Sequence, residues 1–157
     1  MGRDGGRIGE GALPAPGAVI FVDANIPMYA RGKEHPYRAP CRRALERIAR
    51  GEVHCCSSAE VVQELFHRYL SLGRPQDAEF SAVHFMAIVP EILPVTKDTL
   101  LVALDLMAGS SSLPARDLLH LAVMRQNVIS EILSVDRHFD GIAGIRRVDP
   151  LGWDMIY

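Results

Sequence analysis

The sequence predicts an α/β domain: three layers, with an open, mostly parallel sheet flanked by helices on both faces. Three observations carry this. Short strand-like runs recur at Ala18–Val22, Val53–Cys56, Ile92–Val95, Glu131–Val135 and Ile145–Val148. Between them lie stretches whose apolar residues follow the period of a helix with one buried face. The two kinds of segment alternate, which is the order of strand–helix–strand units, and 157 residues suit one sizeable core.

Each element has its own signal. Ala18–Val22 is a continuous apolar run, as expected of a strand covered on both faces. Pro40–Arg50 reads as a helix with Cys41, Ala44, Leu45 and Ile48 inward, closed by Gly51. After the strand Val53–Cys56, Ser57 or Ser58 can cap a helix to about Leu72, with Val61, Val62, Leu65, Phe66 and Tyr69 inward. Gly73-Arg74-Pro75 ends it, and a further helix covers about Gln76–Ile88. Thr96 caps a helix Lys97–Ala108 expected to bury Leu100, Leu101, Leu104 and Met107, followed by a loop at Gly109–Ser112. Pro114 opens a helix to Gln126, with Leu118, Leu121 and Ala122 inward. Residues 18–157 are thus read as one domain. The Gly- and Pro-rich residues 1–17 lack an apolar stretch and read as a mobile tail, not a signal peptide.

Composition narrows the function. A net charge of -2 makes the chain no polycation, so contact with nucleic acid must come from a local patch or through metal ions. Three cysteines form no disulfide framework and fit a reducing, cytoplasmic setting. Cys55 and Cys56 point to opposite faces of a strand and read as packing, not as metal ligands. No stretch approaches the about 20 apolar residues of a membrane span.

Sheets of this kind place their functional groups beyond the carboxyl ends of the strands. Asp23 directly follows the first strand and Asp136 follows EILSV, so parallel strands would bring both to one rim. Glu64 lies at the edge of the buried stripe of its helix, and Asp117 lies in the first turn of its own. Taken singly, each acid is equally well a turn residue, a half-exposed helix side chain or a helix-terminus partner. Four acids converging would repel one another and call for a hard divalent cation with oxygen ligands.

Four segments then fall into place: VDAN (22–25), SSAEVVQEL (57–65), ARDLLHLAV (115–123) and SVDRHFD (134–140). In this order and spacing the chain resembles the PIN-domain ribonucleases, especially the toxins of VapBC-type toxin–antitoxin pairs. IRRVDP is similar to the closing strand of that family, and the resemblance runs from about Ala18 to Pro150. It implies a PIN-like fold and an endoribonuclease that hydrolyses RNA with carboxylate-bound Mg²⁺ or Mn²⁺. By position, Asp23, Glu64, Asp117 and Asp136 match the catalytic acids. Asp23, Asp117 and Asp136 are the implied metal ligands, and Asn25 and Ser134 match polar residues that orient them. The chain departs from the family where a further acid is common two residues after Asp136, because that position is His138. Asp140 lies just beyond Phe139 and is the alternative ligand there. The resemblance also implies a small antitoxin partner and a homodimer, with the apolar residues of the helices at 57–72 and 76–88 as its surface.

Arg43, Arg47 and Arg50 share one face of the helix at 40–50, as a candidate RNA track. The plainer reading is a solvated face with Arg42–Glu46 and Glu46–Arg50 pairs. His120, one turn beyond Asp117, can border the site but reads first as packing beside leucines. Met86, Met107 and Met124 read as core or interface fillers, and Trp153 and Tyr157 as anchors of the C-terminus. Two other readings stay open. A phosphatase using Asp23 as nucleophile would want a second Asp at position 25, where Asn stands. The alternative is a non-toxin PIN-like RNA-processing nuclease, or a module that binds RNA or protein with little catalysis.

Overall fold

The computed structural model describes residues 17–109 and 112–153. Within them the chain forms β1 (Ile20–Val22), α1 (Asn25–Arg31), α2 (Arg38–Ala49), β2 (Cys55–Ser58), α3 (Ala59–Ser71) and α4 (Pro75–Ile88). It continues with β3 (Ile92–Leu93), α5 (Lys97–Gly109), α6 (Ala115–Gln126), β4 (Glu131–Leu133), β5 (Arg146–Val148) and α7 (Pro150–Trp153). A 3-10 turn, Arg137–Phe139, follows β4. The sheet order is β3-β2-β1-β4-β5, and every pairing is parallel. The PIN-like three-layer α/β architecture is therefore present.

The topology places the site. From β1 the chain moves outward to β2 and β3, then returns to the other side of β1 for β4 and β5. Between β1 and β4 lies the switch point where such sheets open a crevice at the strands' carboxyl ends. Val22 pairs with Leu133, so the residues after both strands emerge side by side. Ile20, Phe21 and Val22 are fully buried, as a central strand covered on both faces requires. Ser57 holds the neighbouring strand by donating its hydroxyl to Val22 O at 2.8 Å, and Ser58 caps α3 by accepting from Val61 N–H.

Several elements differ from their sequence expectation. The helix α1 has no periodic signal because it is seven residues long and carries Pro27, which only a first turn accommodates. The start of α2 lies at Arg38, with Pro40 in its first turn. The second strand is shifted to Cys55–Ser58, and the third and fourth are shorter than their apolar runs. Phe66 is exposed rather than inward. The largest correction is α5. Leu100, Leu101, Leu104 and Met107 face outward, and the buried side carries Thr99 and Ala103 against Leu118 and Ala122 of α6. A helix that is apolar all round has no unique inward stripe in its sequence. Here a hydrogen bond from the Thr99 hydroxyl to Gln126 Oε1, 2.7 Å, marks the side that meets α6. Met124 is buried, whereas Met86 and Met107 are exposed. Trp153 docks the C-terminal turn in the core, with Arg47 over its ring. The tail at 1–16, loop residues Ser110 and Ser111, and Tyr157 lie outside the described residues. Among the described residues no helix is long and apolar enough to cross a membrane.

Candidate metal centre

Asp23 leaves β1 with its backbone N–H donating to Leu133 O at 3.1 Å, so the acid is tied to β4 at once. Its side chain is buried and fully engaged. Oδ1 accepts from Ala24 N–H at 2.7 Å. Oδ2 accepts from Asn25 Nδ2 at 3.0 Å and from the Ser134 hydroxyl at 2.6 Å. Asn25 also donates to Ser134 Oγ and accepts from Val135 N–H, lacing the end of β1 to the end of β4. Asn25 and Ser134 thus both hydrogen-bond the first acid.

Glu64 reaches the same place from α3. Its Oε1 accepts from Arg116 Nη1 at 3.1 Å, while Oε2 is buried without a hydrogen-bond partner. His120 of α6 sits between the two acids, its Nε2 3.6 Å from Asp23 Oδ1 and 3.6 Å from Glu64 Oε2. Asp117, one turn earlier on α6, faces the loop after β4. There His138 Nδ1 lies 3.2 Å from Asp117 Oδ2 and 3.3 Å from Asp136 Oδ1. Asp136 is itself fixed. Its N–H donates to Ser134 Oγ at 3.0 Å, and its Oδ1 accepts from His138 N–H at 2.9 Å, capping the 3-10 turn. Two groups of donor atoms result, Asp23–Glu64–His120 and Asp117–Asp136–His138, each within 4.8 Å.

The electrostatics reflect acids brought together. Burial, with Glu64 nearby, pushes the Asp23 carboxyl above its ordinary range despite His120 and Ser134. Burial and the Asp136 charge do the same to Asp117, against His138. Burial would raise Glu64 too, but the His120 imidazole and the Arg116 guanidinium outweigh it and hold it low. Burial alone would lower His120, yet Glu64, Asp23 and Asp117 together lift it. A bound cation relieves this kind of repulsion between carboxylates.

The structure places Asp23 and Glu64 about His120, and Asp117 and Asp136 about His138, with Asn25 and Ser134 bonded to Asp23 and Ser134 to Asp136. Asp140 stands apart: Arg147 donates to both of its oxygens, at 2.7 Å and 3.2 Å. Arg147 also bonds Asp149 and Ser134 O, tying β5 to the end of β4. Two histidines complete the centre. His120 does pack, its ring 5.5 Å from that of Phe21, but it also bridges two acids. Its spacing of three residues from Asp117, which puts both on one helix face, was the available signal. His138 occupies the position where the family has an acid. On α2, Arg47 and Arg50 both bond Glu52, and Arg42 donates to Ala30 O. The glutamate serving Arg50 is thus beyond the helix. All three cysteines are buried and free, and burial pushes their thiols up to about 12, about 11 and about 12 for Cys41, Cys55 and Cys56.

Comparison with known proteins agrees with this geometry. The family model for the PIN domain matches residues 20–145. A VapC ribonuclease of Mycobacterium bovis is 37% identical over 130 residues, covering 83% of this chain and 99% of the relative. Ribonuclease VapC13 of Mycobacterium tuberculosis has the same identity and coverage. Among solved structures, VapBC2 from Rickettsia felis bound to a promoter DNA fragment superposes with a TM-score of 0.66 at 17% identity, covering 83% of this chain and 98% of that one. VapC20 of Mycobacterium tuberculosis, a toxin that cleaves the sarcin–ricin loop, gives 0.62 at 18% identity, covering 81% and 98%. With the acids at the carboxyl ends of β1 and β4 and a family match over most of its length, the chain belongs to the PIN-domain family, among the VapC ribonucleases.

Proposed function

We propose that this chain is a divalent-metal-dependent endoribonuclease, the toxin of a toxin–antitoxin pair, and that Asp23, Glu64, Asp117 and Asp136 are its catalytic acids. The observation that carries this reading is the gathering of acids from β1, α3, α6 and the loop after β4 into two groups, Asp23–Glu64–His120 and Asp117–Asp136–His138, with Glu64 Oε2 buried and only His120 Nε2, at 3.6 Å, beside it. Carboxylate oxygens grouped in this way suit Mg²⁺ or Mn²⁺. Asp23, Asp117 and Asp136 would hold the ion, with Glu64 beside them. When bound, such an ion acts as a Lewis acid on a phosphodiester and makes water more acidic near neutral pH.

The chain's own residues supply the rest. Ser134 and Asn25 fix the Asp23 carboxylate so that it cannot rotate away from the rim. Arg116 holds Glu64 from the solvent side. Asp117 accepts fewer hydrogen bonds than Asp23, so it is the carboxylate with an oxygen free to take a proton from the attacking water. In-line attack at phosphorus then leaves a 5′-phosphate and a 3′-hydroxyl. Arg43, Arg47 and Arg50 remain a candidate backbone track at the edge of α2.

The neighbours named as VapBC complexes support a small antitoxin as partner, and cytoplasmic action follows from that reading. A homodimer is supported by exposed apolar side chains on the helix pair α3–α4, among them Leu70, Phe80 and Val83. The test is cleavage of a structured RNA by the purified full chain. Cutting with Mg²⁺ or Mn²⁺ that stops with EDTA and resumes on adding metal is expected. Cutting unaffected by EDTA, or none with either ion, rejects the reading.

A further inference from the structure

The loop after β4 carries a feature that the acids alone do not explain. Position 138 is an imidazole, and its ring nitrogen rather than its edge faces the site. His138 Nδ1 lies 3.2 Å from Asp117 Oδ2 and 3.3 Å from Asp136 Oδ1. Adjacent ligand atoms around an octahedral ion with bonds near 2.1 Å are separated by about 3.0 Å. Two edges of the donor triangle are therefore close to those of one face of such an ion, and all three donor atoms lie within 4.8 Å of one another.

The surroundings favour a ligand over a mere counter-charge. Asp136 is held in place by Ser134 Oγ and by the His138 backbone, so the carboxylate and the imidazole share one rigid turn. Asp117 is buried, whereas the His138 side chain is 58% exposed. An ion entering from solvent would meet the imidazole first, with two carboxylates behind it. Mg²⁺ binds oxygen and takes nitrogen ligands poorly, whereas the transition ions accept imidazole readily.

Resting on the reading that this chain binds a divalent ion, we propose that His138 is itself a ligand through Nδ1. With Asp117 and Asp136 it forms a mixed nitrogen–oxygen site that favours a borderline transition ion, represented by Mn²⁺, over Mg²⁺. The departure at position 138 is then the residue that sets metal preference.

The experiment uses the full chain stripped with EDTA and loaded with Mn²⁺ alone. Pulsed electron paramagnetic resonance of the bound Mn²⁺ should show the nitrogen modulation of a coordinated imidazole. It should vanish in His138→Asp and in His138→Asn, with circular dichroism unchanged, and persist in His120→Gln. Calorimetric titration with each ion should show the Mn²⁺-over-Mg²⁺ preference falling by about tenfold in His138→Asp, the lower end of what changing a metal site's partners costs. Modulation that survives both His138 variants, or an unchanged preference ratio, overturns the proposal while leaving the metal centre standing. Failure of the wild-type chain to bind either ion removes both.

Discussion

The centre has an inner and an outer half, and they are held in different ways. Asp23 is 8% exposed in its side chain and takes hydrogen bonds from three groups, one of them on Ser134 directly after β4. His138, 58% exposed, and Asp136 ride on a three-residue 3-10 turn. The inner half is set by strand pairing, because Val22 opposite Leu133 fixes where Asp23 and Ser134 meet. The outer half is set by the turn after β4, which is held to the core by the fully buried Phe139 while His138 stays exposed. On the proposed reading the inner acid would anchor the cation, and the outer pair would tune which cation and how firmly.

The hardest way to break this comparison is to remove the anchor. Asp23→Asn keeps size and shape but deletes the charge. Its RNA cleavage should fall by more than about 100-fold, beyond the loss typical when only a supporting partner of a ligand is removed. The rise in thermal midpoint that Mn²⁺ gives the wild-type chain should also vanish, since stabilisation by a ligand requires binding to the folded state. A variant that cuts at half the wild-type rate, or still gains stability from Mn²⁺, would show that Asp23 only ends its strand.

A second difference between the halves can be read by pH in the metal-free chain. His120, in the inner half, has its pKa raised above the ordinary 6.5: burial opposes this, but Glu64, Asp23 and Asp117 outweigh burial. A cation held this way stabilises the fold fully below 6.5, and that stability is lost as pH rises through the higher folded value. Asp23 and Asp117 have raised values as well, so their ionisation also costs stability as pH climbs above 3.8. The imidazole's share is therefore read as the difference between wild type and His120→Asn in urea unfolding between about pH 6 and 9. Wild type should lose stability across this range, and His120→Asn should flatten the slope. Parallel curves for the two would mean that His120 only packs on Phe21.

How much of this was legible in the sequence follows the same division. Asp23 and Asp136 could be placed on one rim because each directly follows an apolar strand, and parallel pairing does the rest. Glu64 and Asp117 were legible from their spacing against buried helix positions. His120 was legible as packing and as bordering the site, but a histidine among Leu118, Leu119 and Leu121 looks apolar in a periodic pattern, and only the fold shows Asp23 and Glu64 on its other side. The face of α5 was illegible for a different reason. Leu100, Leu101, Val102, Leu104 and Leu106 surround the helix, so the choice is made by what α6 offers, and periodicity is silent. The short α1 was missed because seven residues with a proline carry too little pattern.

The smallest expected effect concerns the acid that sequence alone offered as an alternative ligand. Asp140 follows the turn and is paired with Arg147, whose guanidinium also holds Asp149 and Ser134 O. Replacing Asp140 leaves Arg147 with Asp149 and a backbone carbonyl, so the end of β4 keeps its support. The Asp140 side chain is 52% exposed, and an ion pair so open to water contributes about 0–1 kcal/mol. Asp140→Ala should therefore leave cleavage and Mn²⁺ affinity within about twofold of wild type, a change under 0.5 kcal/mol. Asp136→Ala, by contrast, removes a group 3.3 Å from His138 Nδ1 and the cap of the turn that positions it. The two variants differ by four positions and act on the same loop, so loop damage alone would affect both. Equal losses of Mn²⁺ affinity in the two would mean that the turn reorganises around the ion and draws Asp140 away from Arg147. A loss confined to Asp136→Ala would place the outer ligand at the turn's start and leave Asp140 to its arginine.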